Sequence, residues 1–459
     1  MRPTGVKFLA AACEDAIILG NPRRIVKDVK IDSRECKEGD MFVCIKGEKT
    51  DGHDYIIAAY NKGCRCFLVT KEQNIYDATF IVVKDTVKAF CDMATAYLNE
   101  FKLRKVAVTG SVGKTTTKML TAAVLSSKFR TIATKKNLNT DLGIALTSFD
   151  VDGSTQAVVF EMGMDKPGEI AGYVKRVHPE VAIITNVGIS HLERLGTRDA
   201  IADAKLEIVS EFDASNVLIV NSSSDYLKTK EEIRTRAKNK EHFKIVGVGS
   251  DMMLENVRAQ GTSGIEFNLN GVHFELPLIG EHNAVDAALA ASCGIEYGIP
   301  LKKAADALRN VSATEKRLKL EDLSGIILID DSYNASPDSV VAGIAAIGSI
   351  TAQRKILVLG DMLELGSESV RGHNRVGEAA ARLGVNMVVA YGDNKEEYLD
   401  GMRSVEGNRC AFMGINTLDE VKEYVLKIIR KGDAVLVKGS NSTKISEVAE
   451  LIRKTYHAK

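Results

Sequence analysis

The stretch "KVAVTGSVGKTTTKML", Lys105 to Leu120, constrains the fold more than any other part of the chain. An apolar strand pattern runs into a turn with two glycines and restarts as a helix. Such a turn aims backbone N–H groups and the positive end of the helix dipole at one point in space, which is an anion site. The common phosphate loop reads G-x-x-x-x-G-K-[ST]. Counted back from Gly113-Lys114-Thr115, its first glycine would fall at Val108, yet the glycine is Gly110. The loop is therefore tighter than the common form and marks a separate subclass. Gly110, Ser111, Val112, Gly113, Lys114, Thr115 and Thr116 are the candidate nucleotide contacts. Lys114 has the reach for the outer phosphates, and Thr115 offers a hydroxyl to Mg²⁺.

The rest of the chain repeats this alternation. "KVAVTG", "QAVVFEMG", "EVAIITNVG" and "NVLIVNSS" read as strands, with "TTTKMLTAAVLSS", "DLGIALTSF", "PGEIAGYVKRV" and "DAIADAKLEIVSEF" as helices between them. Strands alternating with helices predict a parallel sheet. Near Asp251 the period changes to two with Gly-rich turns, which predicts antiparallel hairpins, and two helical segments follow. From Ala313 a second doubly wound unit is expected, with strands "GIILIDD", "KILVLGD", "NMVVAYGD" and "DAVLVKGS". Before Leu103 the strands are short ("MFVCIKG", "CRCFLVT") and lead into the helical "TVKAFCDMATAYLNEF". The chain has 459 residues, room for about three domains. They are placed at 1–103, 104–312 and 313–459. The fold class is α/β in all three.

Candidate residues sit where strands end, since open parallel sheets bind ligands there. Glu161 closes "QAVVFE" and suits a second Mg²⁺ ligand; the alternative is an exposed loop acid. Pro167 and Pro337 are expected to start helices. A lone histidine such as His191 is more often a satisfied surface or core residue than a ligand. Lys205, by spacing alone, is a helix lysine on a solvated face. Asn137, Asn139 and Thr140 in "KKNLNTDLG" are either capping residues or ligand contacts. Asp331, Tyr333 and Asn334, and the Lys438–Ser440 segment, are either ligand-facing or ordinary strand-end turns.

Composition excludes some classes. Lys+Arg and Asp+Glu are both 61, so nothing argues for bulk nucleic-acid or membrane-surface binding. None of the eight cysteines forms a C-x-x-C pair, so they read as free thiols in a reducing cytoplasm. The N-terminal "VKFLAAACEDAIIL" has too short an apolar run for a signal segment and reads as an amphipathic helix. No run approaches the ~18 apolar residues of a membrane span.

Taken in order, "TGSVGKTTT", "NLNTDLG", "VFEMG…PGEI", "TNVGISHLERLG…AKLEI", "GEHNAVDAALAA", "DDSYNASPDS", "GDMLELG" and "VKGSNS" resemble the Mur ligases of bacterial cell-wall synthesis. The resemblance covers essentially the whole chain. It implies a small α/β UDP-binding domain, a central phosphate-loop ATPase-like sheet with a hairpin extension, and a Rossmann-like C-terminal domain. Within the family, "DDSYNASP" and "GDMLELG" resemble the member that adds D-alanyl-D-alanine to UDP-N-acetylmuramoyl-tripeptide. The resemblance implies ATP and Mg²⁺, with Thr115, Glu161, His191 and Lys205 around the metal, Lys205 being carbamylated. It implies adenine and ATP contacts at Asn283, Arg317 and Asp331, and catalytic roles for Lys114, Lys205, His191 and Arg317. Ser33, Arg34, Lys46, Asp51 and His53 would hold the UDP-sugar. Asn137, Asn139 and Thr140 would face the muramoyl-peptide, and Tyr333, Asn334, Lys438 and Ser440 the dipeptide. The segment around Arg317, "SATEKRLKL", departs from the Pro- or Gly-rich turn of many relatives. A monomeric cytoplasmic enzyme with small-molecule substrates and no nucleic-acid partner is expected. The alternatives are the tripeptide-forming ligase, which in its diaminopimelate form carries a D-N-P-R motif absent here, a folylpolyglutamate synthetase, and a phosphate-loop switch that binds nucleotide without ligating.

Overall fold

The computed structural model describes residues 1–237 and 242–456. Its strands fall into separate sheets along the chain, each wrapped by the helices that connect them.

The first sheet holds β1 (Ile17–Leu19), β2 (Asp28–Lys30), β3 (Asp40–Val43), β4 (Cys66–Val69) and β5 (Thr79–Val82), in the order β1-β5-β4-β3-β2. All pairs are parallel except β1 with β5. The N-terminal segment differs from expectation. Helix α1 covers only Val6–Ala11. Asp15 takes a left-handed φ of 53°, the chain turns, and Ile17–Leu19 pairs with the sheet edge. β-branched Ile17 and Ile18 suit that edge better than a helix. Helix α2 (Thr86–Asn99) then packs this unit onto the next: Phe90 stacks on Phe149 at 5.7 Å, and the Tyr97 hydroxyl donates to the Val151 carbonyl at 2.6 Å.

The central sheet is fully parallel, with six strands: β6 (Arg104–Thr109), β7 (Thr131–Ala133), β8 (Ala157–Glu161), β9 (Val181–Ile184), β10 (Val217–Asn221) and β11 (Lys244–Val248). Their order is β11-β10-β9-β6-β8-β7, so β6 lies in the middle. Val108 is fully buried on β6 between Glu161 of β8 and Ile183 of β9. The residue that breaks the common phosphate-loop spacing is a core strand residue. β6 feeds helix α3 (Lys114–Ser126), and further along come α4 (Asp141–Phe149) and α5 (Glu169–Val177). Pro167 does not start α5; Gly168, left-handed at φ 89°, precedes its first residue. The short α6 (Leu192–Leu195) and α7 (Arg198–Leu206) follow β9. The expected hairpins form a three-stranded antiparallel sheet over residues 254–276, where Phe267 and Phe274 pair in register and stack at 5.0 Å. Helix α8 (Asn283–Glu296) packs against α3 in the same core.

In the last sheet β12 (Lys319–Asp322) is an antiparallel edge on β13 (Ile327–Asp330). β14 (Arg354–Gly360), β15 (Met387–Tyr391), β16 (Ala411–Ile415) and β17 (Asp433–Lys438) are parallel to β13 and to each other, in the order β12-β13-β17-β14-β15-β16. The order reverses around β13, β17 and β14, and a ligand crevice opens outside the carboxyl ends of strands at such a reversal. Helix α9 starts at Pro337, as the sequence predicts. No helix among the described residues is long and apolar enough to cross a membrane.

Candidate active site

The phosphate loop owes its shape to its glycines. At Gly110 a Cβ would lie 1.9 Å from the Thr185 hydroxyl, and at Gly113, φ 87°, one would lie 2.7 Å from Asp286 Oδ1. Asn186 holds the loop by its backbone: its Oδ1 accepts from Val112 N at 3.0 Å and its Nδ2 donates to Val112 O at 3.2 Å. Lys114 Nζ curls over the loop and donates to the Gly110 carbonyl at 2.8 Å. Burial pushes its pKa below the ordinary lysine value; Glu161 opposes this and Arg317 adds to it.

Beside the loop, Thr115 Oγ1 donates to Glu161 Oε1 at 3.1 Å, and Asn139 Nδ2 donates to the same oxygen at 3.1 Å. Lys118 Nζ pairs with the buried Oε2 at 3.0 Å. Glu161 is only 1% exposed, which excludes the exposed loop acid. Burial raises its pKa, but Lys118 and Lys114 outweigh this and hold it below the ordinary value. A buried carboxylate held in its ionised form next to a hydroxyl is a hard oxygen donor pair of the kind that fits Mg²⁺.

His191 lies seven residues beyond β9, at the start of α6, with φ 64°. It lines the same cavity as Thr115 and Glu161. Its Nδ1 is 3.0 Å from Glu364 and 3.3 Å from Asp165, and among the described residues it forms no hydrogen bond. Burial, then Lys114, lowers its pKa, favouring the neutral ring a metal ligand requires. Lys205 is not on a solvated face: it is 1% exposed on α7. Burial and then Lys114 drive its pKa well below the ordinary value, and among the described residues no acid lies within ion-pairing distance. An unmodified lysine therefore does not fit a metal donor set.

The facing wall comes from the last sheet and from α8. Arg317 lies over the Tyr333 ring at 4.1 Å. Lys438 Nζ, buried at the end of β17, pairs with Asp331 Oδ2 at 2.6 Å and donates to Asn334 O at 3.0 Å. Asn283, at the first turn of α8, donates to Ile279 O at 2.7 Å. These residues line one cavity with Ser111, Val112, Gly113, Lys114 and Thr115 of the phosphate loop, and so do Asn139 and Thr116; Gly110 is outside the lining. Ser440 does not line it; its hydroxyl accepts from Leu363 N at 2.9 Å. Asn137 and Thr140 are also outside the lining, and Thr140 flanks α4 without a side-chain cap bond.

The candidate sugar residues are elsewhere, after the carboxyl ends of β2 and β3. Ser33 is buried in a short turn, and Arg34 pairs with Asp32 at 2.7 Å. Lys46 bridges to Asp51 across the backbone. His53 Nδ1 is 2.6 Å from Asp51, and its Nε2 accepts from Thr70 N at 3.0 Å. None lines the nucleotide cavity.

Sequence reasoning missed Lys118, Asn186 and three residues that line the cavity, His282, Asp286 and Glu364. Lys118 is one helical turn past Lys114, a spacing that puts both on one face. Glu364 lies within the quoted "GDMLELG", and the other three lie in or beside quoted motifs.

Family models match nearly the whole chain: "Mur ligase family, catalytic domain" at residues 25–108, "Mur ligase middle domain" at 108–294 and "Mur ligase, glutamate ligase domain" at 316–441. The chain is 33% identical to a UDP-N-acetylmuramoyl-tripeptide–D-alanyl-D-alanine ligase from Bacillus subtilis (strain 168), over 94% of this chain and 95% of that one. The chain belongs to the Mur ligase family. The protein of the same name from Escherichia coli (strain K12) is 33% identical over 93% of both chains. A crystal structure of MurF from Acinetobacter baumannii matches this Mur ligase with a TM-score of 0.88 and 28% identity over 99% of both chains. A Thermotoga maritima MurF in complex with ADP matches at TM-score 0.80 and 26% identity, covering 94% of this chain and 98% of that one. A folylpolyglutamate synthase from Mycobacterium tuberculosis shares the fold at 15% identity and TM-score 0.63, over 80% of this chain and 93% of that one.

Proposed function

We propose that this Mur ligase joins the amine of D-alanyl-D-alanine to the terminal carboxyl of UDP-N-acetylmuramoyl-tripeptide, with ATP cleaved to ADP and phosphate. This is a step of peptidoglycan synthesis. The relatives of that name, at 33% identity over almost the whole chain, support the substrates. The observation that carries the reading is the shared cavity: Lys114, Thr115 and Glu161 on one wall, Arg317, Tyr333 and Lys438 on the other.

In this reading a carboxylate oxygen of the tripeptide attacks the γ-phosphorus of ATP. The bridging P–O bond to ADP breaks, leaving an acyl phosphate. The dipeptide's ammonium gives up a proton to water, its nitrogen then attacks the acyl carbon, and a second proton leaves the nitrogen as the C–O bond to phosphate breaks, releasing phosphate and the amide. The first step brings two anions together, so positioning and charge neutralisation dominate. Lys114 and Arg317 supply fixed positive charge from opposite walls. Thr115, Glu161 and His191 would hold Mg²⁺, which would screen the phosphates and act as a template. Lys205, with its pKa depressed, has the neutral amine that can add to CO₂ and lose a proton, giving a carbamate. That converts a repelling cation into a carboxylate-like support for the metal. Ser33, Arg34, Lys46, Asp51 and His53 would hold the UDP-sugar at the first sheet. Asn137, Asn139 and Thr140 would face the muramoyl-peptide. The same reading takes the enzyme as a cytoplasmic monomer.

The test is phosphate release. It is expected only when ATP, Mg²⁺, UDP-muramoyl-tripeptide and D-alanyl-D-alanine are all present. No release with the full set sinks the reading, and release that needs no amine acceptor favours a nucleotide switch.

A further inference from the structure

The ligase reading leaves open what receives the amino group of the incoming substrate. A free α-amine arrives largely as an ammonium, since such groups have pKa values of about 8. Its docking point is best made by a carboxylate that faces the reaction cavity and is not already neutralised. Four carboxyl side chains line that cavity: Glu161, Asp286, Asp331 and Glu364. Glu161 is buried between Thr115, Asn139 and Lys118. Asp331 is paired with Lys438 at 2.6 Å. Asp286 is buried on α8, and burial pushes its pKa up to about 8, so it is mostly neutral at pH 7. Glu364 remains. Its side chain is 42% exposed; one oxygen lies 3.0 Å from His191 Nδ1, and the other faces Arg194 at 3.8 Å, an arginine that sits closer to Asp165, at 2.6 Å.

The backbone supports the carboxylate. Glu364 has φ 63°, a left-handed conformation that a non-glycine residue holds only when its surroundings fix it. The surroundings do so on every side. Met362 N donates to His373 Nε2 at 3.1 Å, Leu363 N to Ser440 Oγ at 2.9 Å, and Glu193 N to the Glu364 carbonyl at 3.4 Å. Leu365 is buried. A partly exposed carboxylate is thus mounted on a pinned loop that bridges the last sheet to the segment carrying His191.

We propose that Glu364 is the amine-docking residue, which receives the ammonium group of the incoming small peptide at the mouth of the nucleotide cavity. The assignment rests on the ligase reading, and it gives a role to the "GDMLELG" segment.

The experiment compares two acceptors in the full-length enzyme with ATP, Mg²⁺ and UDP-muramoyl-tripeptide. One is D-alanyl-D-alanine. The other is hydroxylamine, which is uncharged near neutral pH and traps an acyl phosphate as a hydroxamate. A hydrogen bond to a charged group is worth about 1.5–3 kcal/mol, or roughly 10- to 100-fold. Glu364→Gln is expected to raise the KM for the dipeptide about tenfold or more, and to lower kcat/KM for ligation by that range. Hydroxamate formation and the KM for ATP should stay within about twofold, which also shows that the variant is folded. Glu364→Asp, which keeps the charge, should recover part of the ligation. An unchanged dipeptide KM in Glu364→Gln overturns the proposal. So does a parallel fall in hydroxamate formation, which would mean that Glu364 acts through His191. A wild-type enzyme that makes neither product overturns the ligase reading itself, and this assignment with it.

Discussion

Lys118 Nζ lies 3.0 Å from Glu161 Oε2, with both side chains almost fully removed from solvent. The pair joins the first turns of α3 to the end of β8, and it keeps an ionised carboxylate beside the Thr115 hydroxyl. Breaking one partner of a buried pair leaves an uncompensated charge, at a cost of about 3–5 kcal/mol. Lys118→Met should therefore lower stability by that order in denaturant unfolding. Combining it with Glu161→Gln should recover most of the loss. A double variant as unstable as the sum of the singles would show that the two do not act as a pair.

Among the described residues, Lys114 Nζ bonds only within its own loop, to the carbonyls of Gly110 and Ser111. Removing it should leave the fold intact and strip charge from the phosphate site. Lys114→Met is expected to reduce kcat/KM by about 10²–10³, the scale of losing one donor at a developing charge. Circular dichroism and steady-state phosphate release check the two halves of this statement.

Lys205 is buried without an acid partner among the described residues, and its folded pKa is depressed. Lys205→Ala should lose most activity and regain part of it with added short carboxylates. The intact mass of the wild-type enzyme should include a species heavier by one CO₂ that the variant lacks. A variant active without carboxylates would refute the carbamate.

Asp286 has its pKa raised by burial to about 8, against about 3.9 in an unfolded chain. Between those values the folded state binds the extra proton. Its contribution to stability is therefore fully present below about pH 4 and is lost progressively as pH rises toward 8. Asp286→Asn, neutral at every pH, should flatten this slope and melt higher than the wild type at pH 8. Melting curves from pH 5 to 8 for both proteins are the check; parallel curves would place the acid in a more polar setting.

Val108 occupies the position where the common phosphate loop has glycine, and it is fully buried. Val108→Gly would restore the common spacing but remove a core side chain and loosen a strand. The expected result is a loss of about 2–4 kcal/mol in stability with no gain in nucleotide affinity. Tighter ATP binding by calorimetry would show that the glycine had been missing after all.

Much of the scaffold was legible in the sequence because its signals are local. "KVAVTG", "QAVVFE", "EVAII" and "NVLIV" became β6, β8, β9 and β10, and the hairpins near Asp251 followed from their period of two. Other elements carried too little local signal. β7 has only three residues, Thr131–Ala133, and exists because the sheet pairs it with Ala157–Val159. The helix read into "VKFLAAACEDAIIL" forms only over Val6–Ala11, because pairing of Ile17–Leu19 with Phe80–Val82 outweighed the local pattern. Lys205 was placed on the surface because helix spacing tells which residues share a face, not what covers that face.

The sequence by itself determined the phosphate loop, the α/β alternation and the family, since each rests on residue types at fixed spacing along the chain. The tertiary structure decided the charge states and the partners. Glu161 meets Lys118 across 43 positions of sequence, His191 meets Glu364, and Lys438 meets Asp331 through strand order rather than spacing. Burial sets whether a carboxyl such as Asp286 is neutral and whether one such as Glu364 stays in reach of solvent. Burial is a property of the packed layers, and no short stretch of the chain contains it.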